Sequence, residues 1–366
     1  MKSKISILLP DLRGGGVERI RLVLANEFAR AGHKISFVLM QSKGELLKEA
    51  KDKFKVIDLA TKRVREVPLA LNRYLRQHRP DVLISSIWPL SVIAPISVFF
   101  SRHRCKVLVS EHNNLSIQYS NWGLLNYLLM RVSMAVGYRL ANSRVGVSMG
   151  VVHDIAKLSG LKKKMFELIH NPIRPFLEPT KQSLQNAENL WSCQSGSRII
   201  TVGSFKAQKN HKLLLNAFAR INLPNARLMF VGDGKERESL ISTANELGII
   251  DKIILTGFCF DPTPFYKTAD LFVLSSDYEG FGNVIIEALA CGIPVVSTDC
   301  PYGPAEILDN GRFGLLVPTK DVSALANAIK VQLNSKVNRN TLMNRASEFS
   351  PEIVARKYLK SINEIF

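Results

Sequence analysis

The sequence predicts an α/β protein made of two Rossmann-like halves, and three observations carry that expectation. Short apolar runs alternate with segments of helical spacing along most of the chain. The alternation occurs twice, once before residue 175 and again from Arg198, with a stretch of proline, glycine and polar residues between the two series. The length of 366 residues, with 46% hydrophobic and 22% charged, suits two folded domains with ample core.

In the first half ISILLP (5–10) reads as a strand and 17–31 as a helix. KISFVLM (34–40), KVIDL (55–59), DVLISS (81–86) and KVLVSEH (106–112) then read as further strands of one sheet. The stretch 173–197, IRPFLEPTKQSLQNAENLWSCQSGS, reads as the connection between domains at 1–175 and 176–350. The second series is RIITVGS (198–204), a helix containing KLLLNAFARI (212–221), ARLMFVGDG (226–234), KIILTGF (252–258), LFVLSS (271–276) and IPVVST (293–298). Residues 351–366, the greater part of SPEIVARKYLKSINEIF, form an amphipathic terminal helix. Ligands of such sheets bind beyond the carboxyl ends of the strands, so two facing halves would place an active site in the cleft between them.

The net charge of +18 is one-sided. Residues 1–175 hold 29 Lys and Arg against 12 Asp and Glu, whereas residues 176–366 hold 20 against 19. An excess of +17 in one half points to a polyanion as its partner, an anionic bilayer surface or nucleic acid. No nucleic-acid recognition motif accompanies it, which favours the membrane surface. Five scattered cysteines without a C-x-x-C pair argue against a disulfide framework and a zinc site, and fit a reducing cytoplasm. The segment VLISSIWPLSVIAPISVFF (82–100) has the length of a span but is interrupted by Pro89 and Pro95 and begins as a sheet strand. The stretch 122–136, WGLLNYLLMRVSMAV, suits either core packing or a membrane interface.

Residues 279–299, EGFGNVIIEALACGIPVVSTD, carry most of the functional information. Gly280, Gly282 and Asn283 read as a tight loop entering a helix, VIIEALAC has helical spacing, Gly292 ends it, and IPVVST follows as a buried strand. N–H groups at the helix start suit an anion, and glycine allows close backbone approach. Glu279 and Glu287 flank that start, and carboxylates accept hydrogen bonds from sugar hydroxyls. The pattern fits a ligand with both a diphosphate and sugar rings.

This block resembles the E-x7-E signature of glycosyltransferase family 4, retaining nucleotide-sugar enzymes of the GT-B fold, and the resemblance continues through TDCPYGPAEIL (298–308) and GRFGLLVPTKD (311–321). That continuation is similar to the usual one in bacterial members that build surface polysaccharides. The resemblance implies that Glu279 holds hydroxyls of the donor sugar and Glu287 the ribose, with Phe281, Gly282 and Asn283 lining the sugar and diphosphate. It also implies a terminal helix that crosses back to the first domain.

GGVER (15–19) is similar to the family's first loop, where Gly15 and Gly16 serve the diphosphate or the acceptor, with Glu18 beside them. It is not a dinucleotide fingerprint, because the third glycine would fall at Arg19. His112, at a strand end in SEHNN, matches a histidine near the donor sugar. VGSFKAQKNHKLLLNAF (202–218) is similar to the phosphate-gripping loop, with Lys209 as its lysine. The usual arginine position is Ser204, which brings no cation, and Lys206 is the candidate replacement. Phe258 lies where backbone groups read the base. No D-x-D occurs, so a metal-bound diphosphate is not expected, nor is any cofactor beyond the nucleotide-sugar donor.

The implied activity is transfer of a sugar, with retention, from a nucleoside diphosphate, most commonly UDP, to a lipid-linked glycan at the inner face of the cytoplasmic membrane. The enzyme would be a peripheral, metal-independent hexosyl- or N-acetylhexosaminyltransferase of cell-surface polysaccharide or lipopolysaccharide biosynthesis. The rival readings are a nucleotide-sugar epimerase of the same fold, which needs no basic first domain, and a nucleic-acid-binding protein using that basic half.

Overall fold

The computed structural model describes residues 2–174, 178–191 and 196–364. The chain divides into two compact units, one of residues 1–174 with 350–366 and the other of residues 175–349.

The first unit holds β1 (Lys4–Leu9), β2 (Lys34–Leu39), β3 (Lys55–Asp58), β4 (Val82–Ser86), β5 (Lys106–Glu111), β6 (Ser143–Gly146) and β7 (Glu167–Leu168). They form one parallel sheet in the order β3-β2-β1-β4-β5-β6-β7, in which Ile5 stands beside Ile35 on one side and Val82 on the other. Every residue of β4 is buried, which is why this strand reads as continuous rather than alternating. The second unit holds β8 (Arg198–Val202), β9 (Arg227–Val231), β10 (Ile253–Gly257), β11 (Leu271–Leu274), β12 (Val295–Thr298) and β13 (Leu315–Val317). Their order is β10-β9-β8-β11-β12-β13, again all parallel. Both orders reverse direction once, between β1 and β4 in the first sheet and between β8 and β11 in the second. In doubly wound sheets the loops leaving those strands at their carboxyl ends form the binding site.

The helix Gly16–Arg30 buries Ile20, Leu24 and Phe28 on one stripe, and Arg21 lies on the same side. The last helix, Pro351–Asn363, runs against it and contributes Val354, Ala355, Tyr358 and Ile362 to the first unit's core. Ser350 caps it by accepting from the Ile353 N–H, and Pro351 fits its first turn, where no N–H is needed. The Tyr358 ring meets Phe28 edge-on at 6.4 Å. Ser361 hydrogen-bonds Ser143 at 2.7 Å, anchoring the helix to β6 as well.

One stretch differs from its sequence reading. Within 173–197, read as connection, Lys181–Trp191 is a helix, and Trp191 is fully buried with its indole N–H donating to Thr268 Oγ1 at 2.9 Å. Leu184, Ala187 and Trp191 give it an apolar stripe at helical spacing, which the surrounding polar composition masked. Residues 175–177 and 192–195 of the same stretch lie outside the described residues.

Because Tyr358 fills the seam between the first and last helices, Tyr358→Ala is expected to cost the first unit about 3 kcal/mol in urea unfolding, and Tyr358→Phe about 1 kcal/mol or less. Equal losses from the two variants would show that ring packing is not what holds the last helix.

Candidate active site

In the second unit the loops that leave β8 and β11 are joined by hydrogen bonds along their length. The β8 loop opens at Gly203, sets Phe205 into the core and turns through Ala207–Lys209 before the helix His211–Ile221. Gly232 and Gly234 leave room for it: a Cβ at Gly232 would sit 2.0 Å from the Gly203 carbonyl oxygen, and one at Gly234 2.5 Å from that of Phe205. Asn210 caps the helix by accepting from the Leu213 N–H and reaches Asp277 with its side-chain amide at 2.9 Å. The Asp277 N–H donates to the Gln208 carbonyl, and the Ser275 hydroxyl to the Lys209 carbonyl. At the centre Lys209 Nζ donates to Glu279 Oε1 at 2.5 Å, with both side chains largely buried.

The Ser276 hydroxyl donates to the same oxygen, Oε1, at 2.6 Å. Among the described residues, the bonds that fix the Glu279 side chain therefore converge on one oxygen, and Oε2 remains for a further donor. The backbone of Glu279 is clamped by the TDCPYG segment, since its N–H donates to the Pro301 carbonyl and its carbonyl accepts from the Tyr302 N–H. That segment crosses so close to the loop that a Cβ at Gly303 would lie 2.1 Å from the Phe281 carbonyl oxygen. Gly282 has φ +99° and is the N-cap of the helix Asn283–Ala290, so no side chain caps that helix start. Gly292 follows its end at φ +70°.

Of the residues expected to serve a donor, the structure brings Lys209, Glu279, Gly282 and Asn283 onto these joined loops. Ser204 is half-buried on the β8 loop, whereas Lys206 is exposed. The Phe281 ring is buried and packs on Phe349 at 5.8 Å, so this residue offers the loop its backbone rather than its ring. Glu287, on the next turn of the helix, is half-buried and accepts from the Tyr266 hydroxyl at 3.2 Å. Phe258, beyond β10, is 61% exposed.

In the first unit Gly15 and Gly16 are exposed at the start of the helix after β1. Burial pushes the carboxyl of neighbouring Glu18 above its usual range. His112 follows β5, is 6% exposed, and stands over a cation the sequence reading missed. Arg21 is fully buried: Nε donates to Ser86 at 2.7 Å, Nη2 donates to Ser110 and lies 3.2 Å from His112 Nε2, and the guanidinium covers the Tyr358 ring. A guanidinium only donates, so Nε2 must accept, and Nδ1 then carries the ring proton toward Asn171 Oδ1 at 3.1 Å. Burial and the Arg21 charge hold His112 well below the usual histidine range, so the ring is neutral. The sequence signal for Arg21 was its place on the Ile20, Leu24, Phe28 stripe. Among the described residues no three His, Cys, Asp or Glu side chains gather as a metal site requires.

Comparison with known proteins accounts for both halves. The family described as glycosyl transferases group 1 matches residues 194–349, and glycosyltransferase family 4 matches residues 14–175. Both halves of the chain are glycosyltransferase domains. A Campylobacter jejuni relative named N-acetylgalactosamine-N,N'-diacetylbacillosaminyl-diphospho-undecaprenol 4-alpha-N-acetylgalactosaminyltransferase is 28% identical over 262 residues, 70% of each chain. A second protein of that organism, an alpha-1,4-N-acetyl-D-galactosaminyltransferase whose name gives a PP-undecaprenol-linked glycan, is 26% identical over 99% of each chain. Among solved structures, Anabaena HepE in complex with UDP superposes with a TM-score of 0.83 at 19% identity, covering 99% of this chain and 100% of its own, which shows the GT-B fold.

The glycosyltransferase also buries Glu111, next to His112. Its carboxylate accepts from Ser91 at 2.5 Å, from Tyr138 at 2.9 Å and from the Trp88 N–H, yet burial, with Asp154 nearby, pushes it up to about 7. An acid whose folded pKa is raised binds its proton more tightly in the folded state, so its stabilising effect is present below the ordinary 4.5 and is lost as pH rises to about 7. Glu111→Gln cannot ionise. The melting temperature of the parent enzyme should therefore fall more steeply than that of the variant between about pH 5 and about pH 7. Identical slopes would exonerate Glu111.

Proposed function

We propose that this glycosyltransferase moves a hexosyl or N-acetylhexosaminyl group, with retention, from a UDP-sugar to a hydroxyl of a lipid-linked glycan in cell-surface polysaccharide biosynthesis. The observation that carries the reading is the buried Lys209–Glu279 pair at 2.5 Å, fixed across the two loops at the strand-order reversal of the second sheet. In the proposed roles Lys209 and the helix start at Gly282 and Asn283 stabilise the departing diphosphate, and Glu279 takes a sugar hydroxyl on Oε2. Glu287, held by Tyr266, reads the ribose, and the backbone beside Phe258 meets the base. Gly15 and Gly16 give close backbone approach in the first unit.

The lipid-linked acceptor is supported by the undecaprenol-linked glycans in the names of the two Campylobacter relatives. The UDP donor is supported by the solved Anabaena complex. We place His112 beside the donor sugar on the family resemblance, as a neutral hydrogen-bonding and shaping group. With both ring nitrogens engaged, it is not assigned as a proton acceptor. The leaving phosphate then takes the acceptor's proton, and neither a metal nor a further cofactor is invoked.

Cation placement gives a direct test. Lys209→Ala is expected to lower kcat by about a hundredfold or more, whereas Lys206→Ala, whose side chain is exposed, should lose less than about fivefold. Small, equal losses would remove Lys209 from the reaction. Thermal-shift screening over UDP-, GDP- and other nucleotide sugars should give its largest stabilisation with a UDP-hexose or UDP-N-acetylhexosamine. Stabilisation by none of them would contradict the donor reading.

A further inference from the structure

The helix Leu124–Leu140 in the first unit is apolar on two opposite faces. Met130, Met134, Gly137 and Tyr138 face the core, and Gly137 packs so closely on the helix Leu90–Ser101 that a Cβ there would lie 2.9 Å from Val92 Cα. The other face carries Leu124, Leu125, Leu128, Leu129, Val132 and Val136, exposed by 84, 70, 53, 59, 54 and 49%. At 100° per residue these six fall within an arc of about 140°, opposite the buried four. Scattered exposed apolar side chains need no explanation, but six on one helix face form a contiguous patch.

The charge around the patch is of one sign. Between residues 82 and 166 the chain has ten Lys and Arg, and its two acids, Glu111 and Asp154, are both buried. Lys162, Lys163 and Lys164 and Arg102, Arg104, Arg131 and Arg139 are exposed. At the start of the helix the Trp122 ring packs, tilted by 51°, on Tyr119 at 4.2 Å and meets Trp88 at 5.5 Å, an aromatic group of the kind that settles at the headgroup boundary. No helix among the described residues is long and apolar enough to cross a membrane.

We infer that this face is a membrane-docking surface, with the outer side of Leu124–Leu140 buried in the interface of an anionic bilayer and the basic side chains on its phosphates. The topology gives the surface a direction. The helix lies between β5 and β6 of a parallel sheet, so its first turn stands at the sheet's carboxyl edge, the edge that carries Gly15, Gly16 and His112. The most exposed residues, Leu124 and Leu125, are at that end. The inference deepens the lipid-linked acceptor reading: with the helix lying along the bilayer, Arg102, Arg104, Arg139, Lys162, Lys163 and Lys164 meet phosphates toward its far end, while its first turn holds the carboxyl edge of the first unit at the surface where such an acceptor lies.

The test is co-sedimentation of the full chain with vesicles of phosphatidylglycerol and phosphatidylcholine, compared with vesicles of phosphatidylcholine alone. The parent protein should pellet with the anionic vesicles and hardly with the neutral ones. Leu125→Glu/Leu128→Glu, at two exposed positions, should weaken binding by about tenfold or more, and Lys162→Glu/Lys163→Glu/Lys164→Glu should weaken it and flatten its salt dependence. Absence of binding by the parent, or undiminished binding by the leucine variant, would overturn the inference. So would a dimer in solution that the leucine variant dissociates, since the face would then be covered by a second copy. Hydrolysis of the nucleotide sugar without vesicles should be the same in parent and leucine variant. If neither hydrolyses any donor, the transfer reading fails while the vesicle result stands by itself.

Discussion

A single buried charge pair organises the loops at the carboxyl edge of the second sheet. Lys209 and Glu279 are 70 residues apart in sequence, on loops leaving β8 and β11, and their contact exists only because the second sheet makes those strands neighbours at its reversal. Either charge alone would carry a large desolvation penalty, so each makes the other's burial tolerable. The surrounding bonds serve the same end. Asn210 to Asp277, Ser275 to the Lys209 carbonyl and the Pro301–Tyr302 clamp on Glu279 all fix backbone that would otherwise let the pair drift. A site that stabilises a leaving diphosphate benefits from a cation fixed before the ligand arrives, because no reorganisation is then needed during reaction.

The first unit uses a buried cation differently. Among the described residues Arg21 meets no carboxylate; two serines, a neutral histidine and an aromatic face surround it. Its donors set the tautomer of His112, and its ring partner Tyr358 comes from the last helix of the chain. The position of His112 thus depends on residues from β4, β5, the first helix and the C-terminal helix together. The same histidine is prevented from gaining a proton by its burial and then by the charge beside it, which is compatible with a reaction that needs no protein base.

Much of this was legible in the sequence because strands buried on both faces must be apolar throughout and helix starts advertise themselves with glycine. β1, β8 and the Glu279–Glu287 block could be read in that way. Long-range relations could not. Nothing local to Lys209 names Glu279 as its partner, although the absence of a cation at Ser204 is plain from the sequence alone. Arg21 was hidden because a charged residue in a helix is ordinarily assigned to the solvent side, even when it falls on the apolar stripe. The helix Lys181–Trp191 was hidden by polar neighbours, and Leu124–Leu140 is apolar on two opposite faces, so its sequence could not say which of them is outward.

The central claim, that Lys209 and Glu279 support one another across the two loops, is tested most directly by a double-mutant cycle on the urea stability of the ligand-free second unit. Lys209→Met and Glu279→Gln should each cost about 3 kcal/mol, and the double variant should cost no more than the worse single, because no buried charge is then left alone. Additive losses in the double variant would show that the two side chains act independently and would contradict the account.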